Sequence, residues 1–373
     1  MPDDLPPAFL VPPVAPPLTP VLERLLADFD ARKPAALARV VSMVENQRDG
    51  FDALLAALHP RIGRARRIGI TGPPGAGKST LTTRLTRAFR EAGLTVGIVA
   101  VDPTSPFTGG ALLGDRIRME EVALDPGVFI RSLATRGSLG GLSSSTRVVA
   151  DVLDAFGFDR ILLETVGVGQ SELDIARAAE STLVVLVPES GDSIQTLKAG
   201  LMEIADLFAV NKADRPGADR VRNDIELMLG MRSGLALTHA TAHHGVDLGA
   251  INNPGRAARA AATGEQEEHW VPPVLRTVAS KGEGIAELID ALDRHFRYLG
   301  ASGELTRRRR ARWREQILEV AEQRLRRRVW GDAGIQAFIE AALPDVEAGT
   351  STPFGIADEL LRRGAGILTR TVT

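Results

Sequence analysis

The 373-residue chain contains no cysteine, which excludes disulfides, iron–sulfur clusters, thiolate zinc sites and cysteine nucleophiles together. Aromatic residues make up only 4%. The core must therefore be aliphatic, and a stacking platform for nucleic acid is not expected. Neither sign of charge dominates: 45 Lys and Arg stand against 47 Asp and Glu, a formal net charge of −2. No basic bulk advertises nucleic acid or an anionic membrane as a partner. No stretch approaches the ~20 continuous apolar residues that a membrane helix requires. The opening MPDDLPPAFLVPPVAPPLTP is acidic and repeatedly broken by proline, unlike a secretory signal. A cytoplasmic protein is the expectation. The chain as a whole, 44% hydrophobic and 25% charged, has the mix of a soluble globular protein.

Four regions are expected. Residues 1–19 read as a Pro-rich tail, because prolines remove backbone donors and favour extended chain. Residues 20–60 read as a helical extension, with Val21, Leu25 and Phe29, then Val40 and Val44, then Phe51, Leu54, Leu55 and Leu58 at helical spacing. Over residues 61–298 short aliphatic runs alternate with amphipathic helices: Ile68–Ile70, Val96–Val101, Val128–Ile130, Ile161–Leu163, Leu183–Val187 and Leu207–Val210. That alternation predicts an α/β fold with a mostly parallel sheet covered on both faces, which binds ligands at the carboxyl ends of its strands. Residues 299–373 change character again. Arg307–Arg310 and Arg326–Arg328 bracket a helix striped by Trp313, Ile317, Val320, Ala321 and Leu325, and a short helix over Ile356–Leu361 follows Pro344. The arginine runs are read as solvated faces, with anionic partners or CoA phosphates as the alternative.

Polar residues cluster right after the aliphatic runs. Gly72-Pro73-Pro74-Gly75-Ala76-Gly77-Lys78-Ser79 is a complete G-x-x-x-x-G-K-[ST], placed between a strand and a helix whose buried face is Leu81, Leu85 and Phe89. Glycines let backbone N–H groups turn around a β-phosphate, and the helix N-terminus, from Lys78 through Thr80, adds its positive end. Lys78 should reach the β- and γ-phosphates and Ser79 should ligate Mg²⁺, making the fold a P-loop nucleoside triphosphatase. Asn211-Lys212-Ala213-Asp214 is an N-K-x-D past a later strand. The Asp214 carboxylate accepts guanine N1–H and N2–H together, a pairing adenine cannot offer, so GTP or GDP is the expected ligand. Lys212 should pack over the base plane and Asn211 should tie the two loops. In Val278–Gly284 the backbone N–H groups of Ala279 and Ser280 are candidates for guanine O6.

Three carboxylates remain for metal and water: Asp102, Asp115 and Glu164. Mg²⁺ takes few carboxylates alongside waters and phosphate oxygens, so one or two are expected near it. Glu164 stands where many GTPases carry an aspartate before x-x-Gly. Gly167 would bring a backbone N–H to the γ-phosphate and report hydrolysis through Gln170. His243-His244 is read as surface loop, since adjacent histidines point different ways.

The strings Gly72–Ser79, Val101–Gly110, Gly114–Met119, Glu164–Glu172 and Asn211–Asp214 together resemble the MeaB-like family, the methylmalonyl-CoA-mutase-associated GTPases of SIMIBI type, older relatives of which carry an arginine/ornithine transport kinase label. The likeness runs over about residues 35–295. It implies a homodimeric GTPase chaperone of an adenosylcobalamin-dependent acyl-CoA mutase, gating cofactor delivery by a cob(I)alamin adenosyltransferase and protecting the mutase. It also implies that Asp102, Asp115 and Glu164 attend Mg²⁺, that Glu189–Lys198 is a switch using Asp192 and Lys198, and that the C-terminal helices are a dimerisation arm. Two departures stand out: Val278 replaces the usual serine, and Ser138 a common histidine. The rival readings are a kinase of a transport protein, which needs ATP and an acceptor site, and a metallochaperone-like GTPase, whose Cys/His clusters this chain lacks.

Overall fold

The computed structural model describes residues 16–103, 119–135, 141–165, 171–188, 200–233 and 269–369. Asp115, Gly167, Gln170, Asp192, Lys198, Ser138, His243 and His244 lie outside them, as does the tail up to residue 15.

Seven strands form one sheet in the order β3-β2-β4-β1-β5-β6-β7, every pairing parallel. They are β1 (Arg66–Thr71), β2 (Val96–Pro103), β3 (Val128–Thr135), β4 (Arg160–Thr165), β5 (Ser181–Leu186), β6 (Leu207–Val210) and β7 (Val274–Arg276). The first six grow from the aliphatic runs; the inner strands β1, β4, β5 and β6 are buried on both faces, as a sheet clad by crossover helices must be, while edge strand β3 is half-buried up to Leu133. Side chains alternate across the pleat. Ile161 and Leu163 enter one core with Val99 and Val101, while Leu162 enters the opposite core with Val96 and Ile98.

The first face is covered by α1 (Pro20–Asp30), α2 (Pro34–Glu45), α3 (Phe51–Leu58), α6 (Gly141–Phe156) and α7 (Ser171–Ala178). The helical extension is thus three helices sharing a core with the sheet. Their phase differs from the spacing reading in one place: Leu22, Leu25 and Phe29 are buried and Val21 is exposed. Thr19 caps α1, its Oγ accepting from the Leu22 N–H, with Pro20 in the first turn, so the helix is phased from its cap. Glu45 of α2 accepts from Arg131 Nε of β3 at 3.0 Å, an ionic tie from extension to sheet. The other face is covered by α4 (Lys78–Glu91), a short α5 (Glu120–Ala123) and α10 (Ile285–Ala301). Beyond β5, α8 (Met202–Ile204) and α9 (Ala218–Ser233) pack a third cluster.

Two buried ionic sites brace the edge away from the strand carboxyl ends. Arg67, fully buried at the start of β1, reaches Asp151 at 2.7 Å and Asp154 at 3.0 Å on α6. Asp154 also accepts from the N–H groups of Gly63, Arg64 and Ala65. Burial opposes the Arg67 charge, but the two carboxylates outweigh it and hold the guanidinium above its ordinary value. Arg308, in the α11 helix (Glu304–Trp330), forks onto both oxygens of buried Asp206 at 2.9 Å each. One arginine of the 307–310 run is therefore an internal anchor and not a solvated face.

The chain divides into two compact units, Met1–Arg308 and Arg309–Thr373. The second contains the greater part of α11, then α12 (Ala333–Glu347) and α13 (Pro353–Thr369). Pro344 does not end a helix but lies inside α12, whose cap, Asp332, accepts from Gly334 and Ile335. The last helix is 17 residues long, well beyond Ile356–Leu361. Along α11, Trp313, Ile317, Leu318, Leu325 and Trp330 are exposed. Among the described residues no helix is long and apolar enough to cross a membrane.

Candidate nucleotide site

β1 is the middle strand of the seven, and the glycine-rich loop leaves its carboxyl end. The loop can form only with glycine at two places. Gly72 has φ +137° and an added Cβ would lie 2.0 Å from Val185 O; Gly77 has φ +86° and its Cβ would lie 2.4 Å from Asn211 Nδ2. From Gly77 the 14-residue α4 starts, so its unpaired N–H groups open onto the loop. Lys78 is buried, and its Nζ donates to Gly72 O at 2.8 Å and Pro73 O at 3.0 Å. The ammonium thus sits inside the loop on carbonyls of the loop itself, while Pro74 and Gly75 at the crest are exposed.

Register brings the acidic partner. Ile70 of β1 pairs with Glu164 of β4, which places Glu164 beside the loop. Ser79 Oγ donates to Glu164 Oε1 at 2.6 Å, and Glu164 is buried. Thr165 Oγ1 donates to Thr71 Oγ1 at 3.1 Å and closes the two strand ends together. In β2, Val101 pairs with Thr165, so Asp102, the next residue, has its backbone at the same edge. A hydroxyl and a carboxylate side by side at the head of the phosphate loop are hard oxygen donors. They fit Mg²⁺, which completes its shell with water and phosphate. Among the described residues no group of three or more His, Cys, Asp or Glu could hold a metal by itself.

The base side is built on one buried amide. Asn211, immediately after β6, donates from Nδ2 to Ala76 O at 2.8 Å in the phosphate loop. Its Oδ1 accepts from Ala279 N at 3.0 Å and Thr277 Oγ1 at 3.2 Å, after β7. One side chain thereby fixes the phosphate loop, the N-K-x-D turn and the base-side loop to one another. Lys212 adopts φ +55°, an uncommon left-handed state for a residue with a Cβ. Asp214 is exposed, with Lys281 Nζ 3.4 Å away, so its carboxylate is open to a ligand. The N–H of Ala279 is occupied by Asn211, so of the two backbone donors offered by the sequence, Ser280 supplies the one facing outward.

The fold therefore brings Lys78, Ser79 and Glu164 to one end of the site and Asn211, Lys212, Asp214, Ala279 and Ser280 to the other. Two participants carry no sequence signal. Thr277 precedes the loop motif, and Arg84, on α4, donates to Ala279 O and Ser280 O across 195 and 196 positions.

A parallel sheet with a phosphate loop on its middle strand and a guanine-reading turn two strands away defines a P-loop GTPase. The chain is 43% identical to a putative GTPase of Pyrococcus abyssi, over 93% of this chain and 98% of that one. It is 32% identical to the GTPase ArgK of Escherichia coli, over 86% of this chain and 89% of that one. A solved LAO/AO transport system kinase matches with a TM-score of 0.60 at 25% identity, covering 95% of this chain and all of that one. The model of the family described as methylmalonyl Co-A mutase-associated GTPase MeaB matches residues 37–334, and the chain belongs to that family.

Proposed function

We propose that this GTPase is a nucleotide-switched chaperone of an adenosylcobalamin-dependent acyl-CoA mutase, methylmalonyl-CoA mutase first among candidates, acting in the cytoplasm. It gates loading of the cobalamin cofactor from a cob(I)alamin adenosyltransferase and protects the mutase. Support comes from the family description, which names association with that mutase. A mouse mitochondrial relative, 29% identical over 91% of this chain and 79% of its own, is named methylmalonic aciduria type A homolog.

The observation that carries the switch is Asn211, which ties base reading to the phosphate loop. In this reading the loop from Gly72 to Gly77 wraps the β-phosphate with backbone N–H groups, Lys78 leaves its own carbonyls for the β- and γ-oxygens, and Thr80 adds a donor at the helix start. Ser79 would ligate Mg²⁺, with Glu164, Asp102 and Asp115 as the carboxylates attending it. The ion would neutralise charge gathering on the phosphates. A water oriented near Glu164 attacks the γ-phosphorus in line: the new P–O bond forms as the bond to the β–γ bridging oxygen breaks, GDP leaves with that electron pair, and the inorganic phosphate carries the water's oxygen and its protons, one of which is released to solvent at neutral pH. Gly167 and Gln170, and the switch residues Asp192 and Lys198, would carry the change outward to the client. The exposed stripe of α11 supplies a homodimer contact. The kinase reading requires ATP, against which Asp214 selects.

Capture with GDP and with a non-hydrolysable GTP analogue is the test. The outcome expected is retention of an acyl-CoA mutase that depends on which nucleotide is present, and a loss of the preference for GTP over ATP in Asp214→Ala. No mutase in either capture would end the chaperone assignment; equal binding of ATP by the unmodified chain would end the guanine assignment.

A further inference from the structure

We propose that Arg84 is a positioning residue for guanine recognition: by gripping two successive carbonyls of the base-side loop it aims the Ser280 backbone N–H at the purine O6. The inference rests on the GTP reading above and names a part of that site which no motif contains.

Arg84 is half-buried on the second turn of α4. Its Nε donates to Ala279 O and its Nη2 to Ser280 O, each at 3.0 Å. Both are charge-assisted bonds from a rigid planar fork, so the two peptide groups are held in orientation as well as position. No peptide bond here is cis, and across a planar trans peptide C=O and N–H point in opposite directions. Ala279 O and Ser280 N belong to the same peptide group. Holding that oxygen towards α4 therefore turns the Ser280 N–H away from it.

The neighbouring donors are already used. Val278 N bonds Glu283 O at 3.0 Å, Ala279 N bonds Asn211 Oδ1 at 3.0 Å, and Lys281 N bonds Val278 O at 2.9 Å. Among the described residues Ser280 N–H has no acceptor, and Ser280 is exposed. A cation bonded to the carbonyl end of this amide also polarises it and strengthens the N–H as a donor. The loop thus presents one aligned, polarised hydrogen-bond donor, and Arg84 is the side chain that aligns it. α4 begins with Lys78 and Ser79, so a single helix registers the phosphate end and the base end of the ligand.

A plain tertiary staple would affect every nucleotide alike, and that separates the alternatives. The full chain and its Arg84→Met and Arg84→Lys variants are titrated calorimetrically with GDP, 6-thio-GDP and IDP. Sulfur at position six chiefly weakens the acceptor facing Ser280, whereas IDP lacks only the amino group facing Asp214. Arg84→Met should weaken GDP binding about tenfold, on the order of one lost charge-assisted hydrogen bond. It should also bring the preference for GDP over 6-thio-GDP close to one while leaving the preference for GDP over IDP intact. Arg84→Lys, with a charge but no fork, should show the same selective change in smaller measure, and it keeps the proposal testable if the Met variant folds poorly. Unchanged GDP affinity, an equal fall of all three affinities that leaves both preferences intact, or a parallel fall of both preferences overturns the role of Arg84. Failure of the unmodified chain to bind GDP would instead overturn the GTP reading itself.

Discussion

Replacing Asn211 by alanine removes three hydrogen bonds at once. The side chain is 2% exposed, so its partners do not regain bulk water: Ala76 O loses a donor, and Ala279 N–H and Thr277 Oγ1 lose an acceptor. An unsatisfied buried group costs ~1–3 kcal/mol, and water entering the space left by the amide recovers part of it. A net loss of about 3 kcal/mol is expected. Spread over a unit of roughly 300 residues, at about 2.1 cal/mol/K of unfolding entropy each, that lowers the Tm by about 5 °C. Because the same amide joins both ends of the site, GDP affinity should fall more than tenfold as well. Asn211→Asp sharpens the test. It keeps an acceptor for Ala279 and Thr277 but sets a second carboxylate oxygen against Ala76 O, so it should be at least as damaging as alanine. Thermal unfolding by circular dichroism and GDP calorimetry measure both effects. A Tm within about 1 °C of the parent, with unaltered GDP affinity, would refute the claim that Asn211 couples the loops.

Lys78→Ala should lower GTP turnover by a factor of roughly 10²–10³, read as phosphate release, and near-parental turnover would exclude Lys78 from the reaction. Chelation with EDTA should stop turnover and added Mg²⁺ restore it, whereas persistent turnover in EDTA would remove the ion from the site. Burial alone would push the Asp206 carboxyl up, but its contacts with His295 and Arg308 outweigh burial and hold it below the ordinary carboxylate range. An acid so depressed stabilises the folded chain above its unfolded pKa of about 3.9 and loses that contribution as pH falls through the folded value. Urea midpoints of the parent should therefore approach those of Asp206→Asn as pH drops below about 4, and a gap independent of pH would contradict this. Ile317→Asp on the exposed α11 stripe should convert a dimer to a monomer in sedimentation; a parent chain already monomeric at micromolar concentration would dismiss the arm's role.

The parts of this architecture legible in the sequence are those written in consecutive residues. Gly72–Ser79 and Asn211–Asp214 each encode a whole loop locally, and burial on both faces leaves short aliphatic runs at Ile161–Leu163 of β4 and Leu183–Leu186 of β5. Features that depend on a distant partner left no trace in a local window. Arg308 reads as one cation in a run, yet Asp206, 102 positions away, makes it an anchor. Arg84 reads as an ordinary helix-surface residue for the same reason. The offset of one residue between Val21 and Leu22 came from a cap outside the apolar pattern. Nor does the apolar pattern announce the helix Ala333–Glu347, which accommodates Pro344 at the cost of a backbone donor.

The three opening helices carry none of the nucleotide-site residues, yet Phe29, Leu37, Val40 and Leu54 share their core with Val99, Leu163 and Leu153. A shortened protein cut just ahead of Arg66, where the catalytic motifs would tempt an engineer to begin, would lay bare the apolar flank that α6 shares with these helices, including Val149, Leu153 and Phe156. Such a fragment should aggregate when expressed. Any library of truncations should therefore treat that helical cladding as inseparable from the hydrolase.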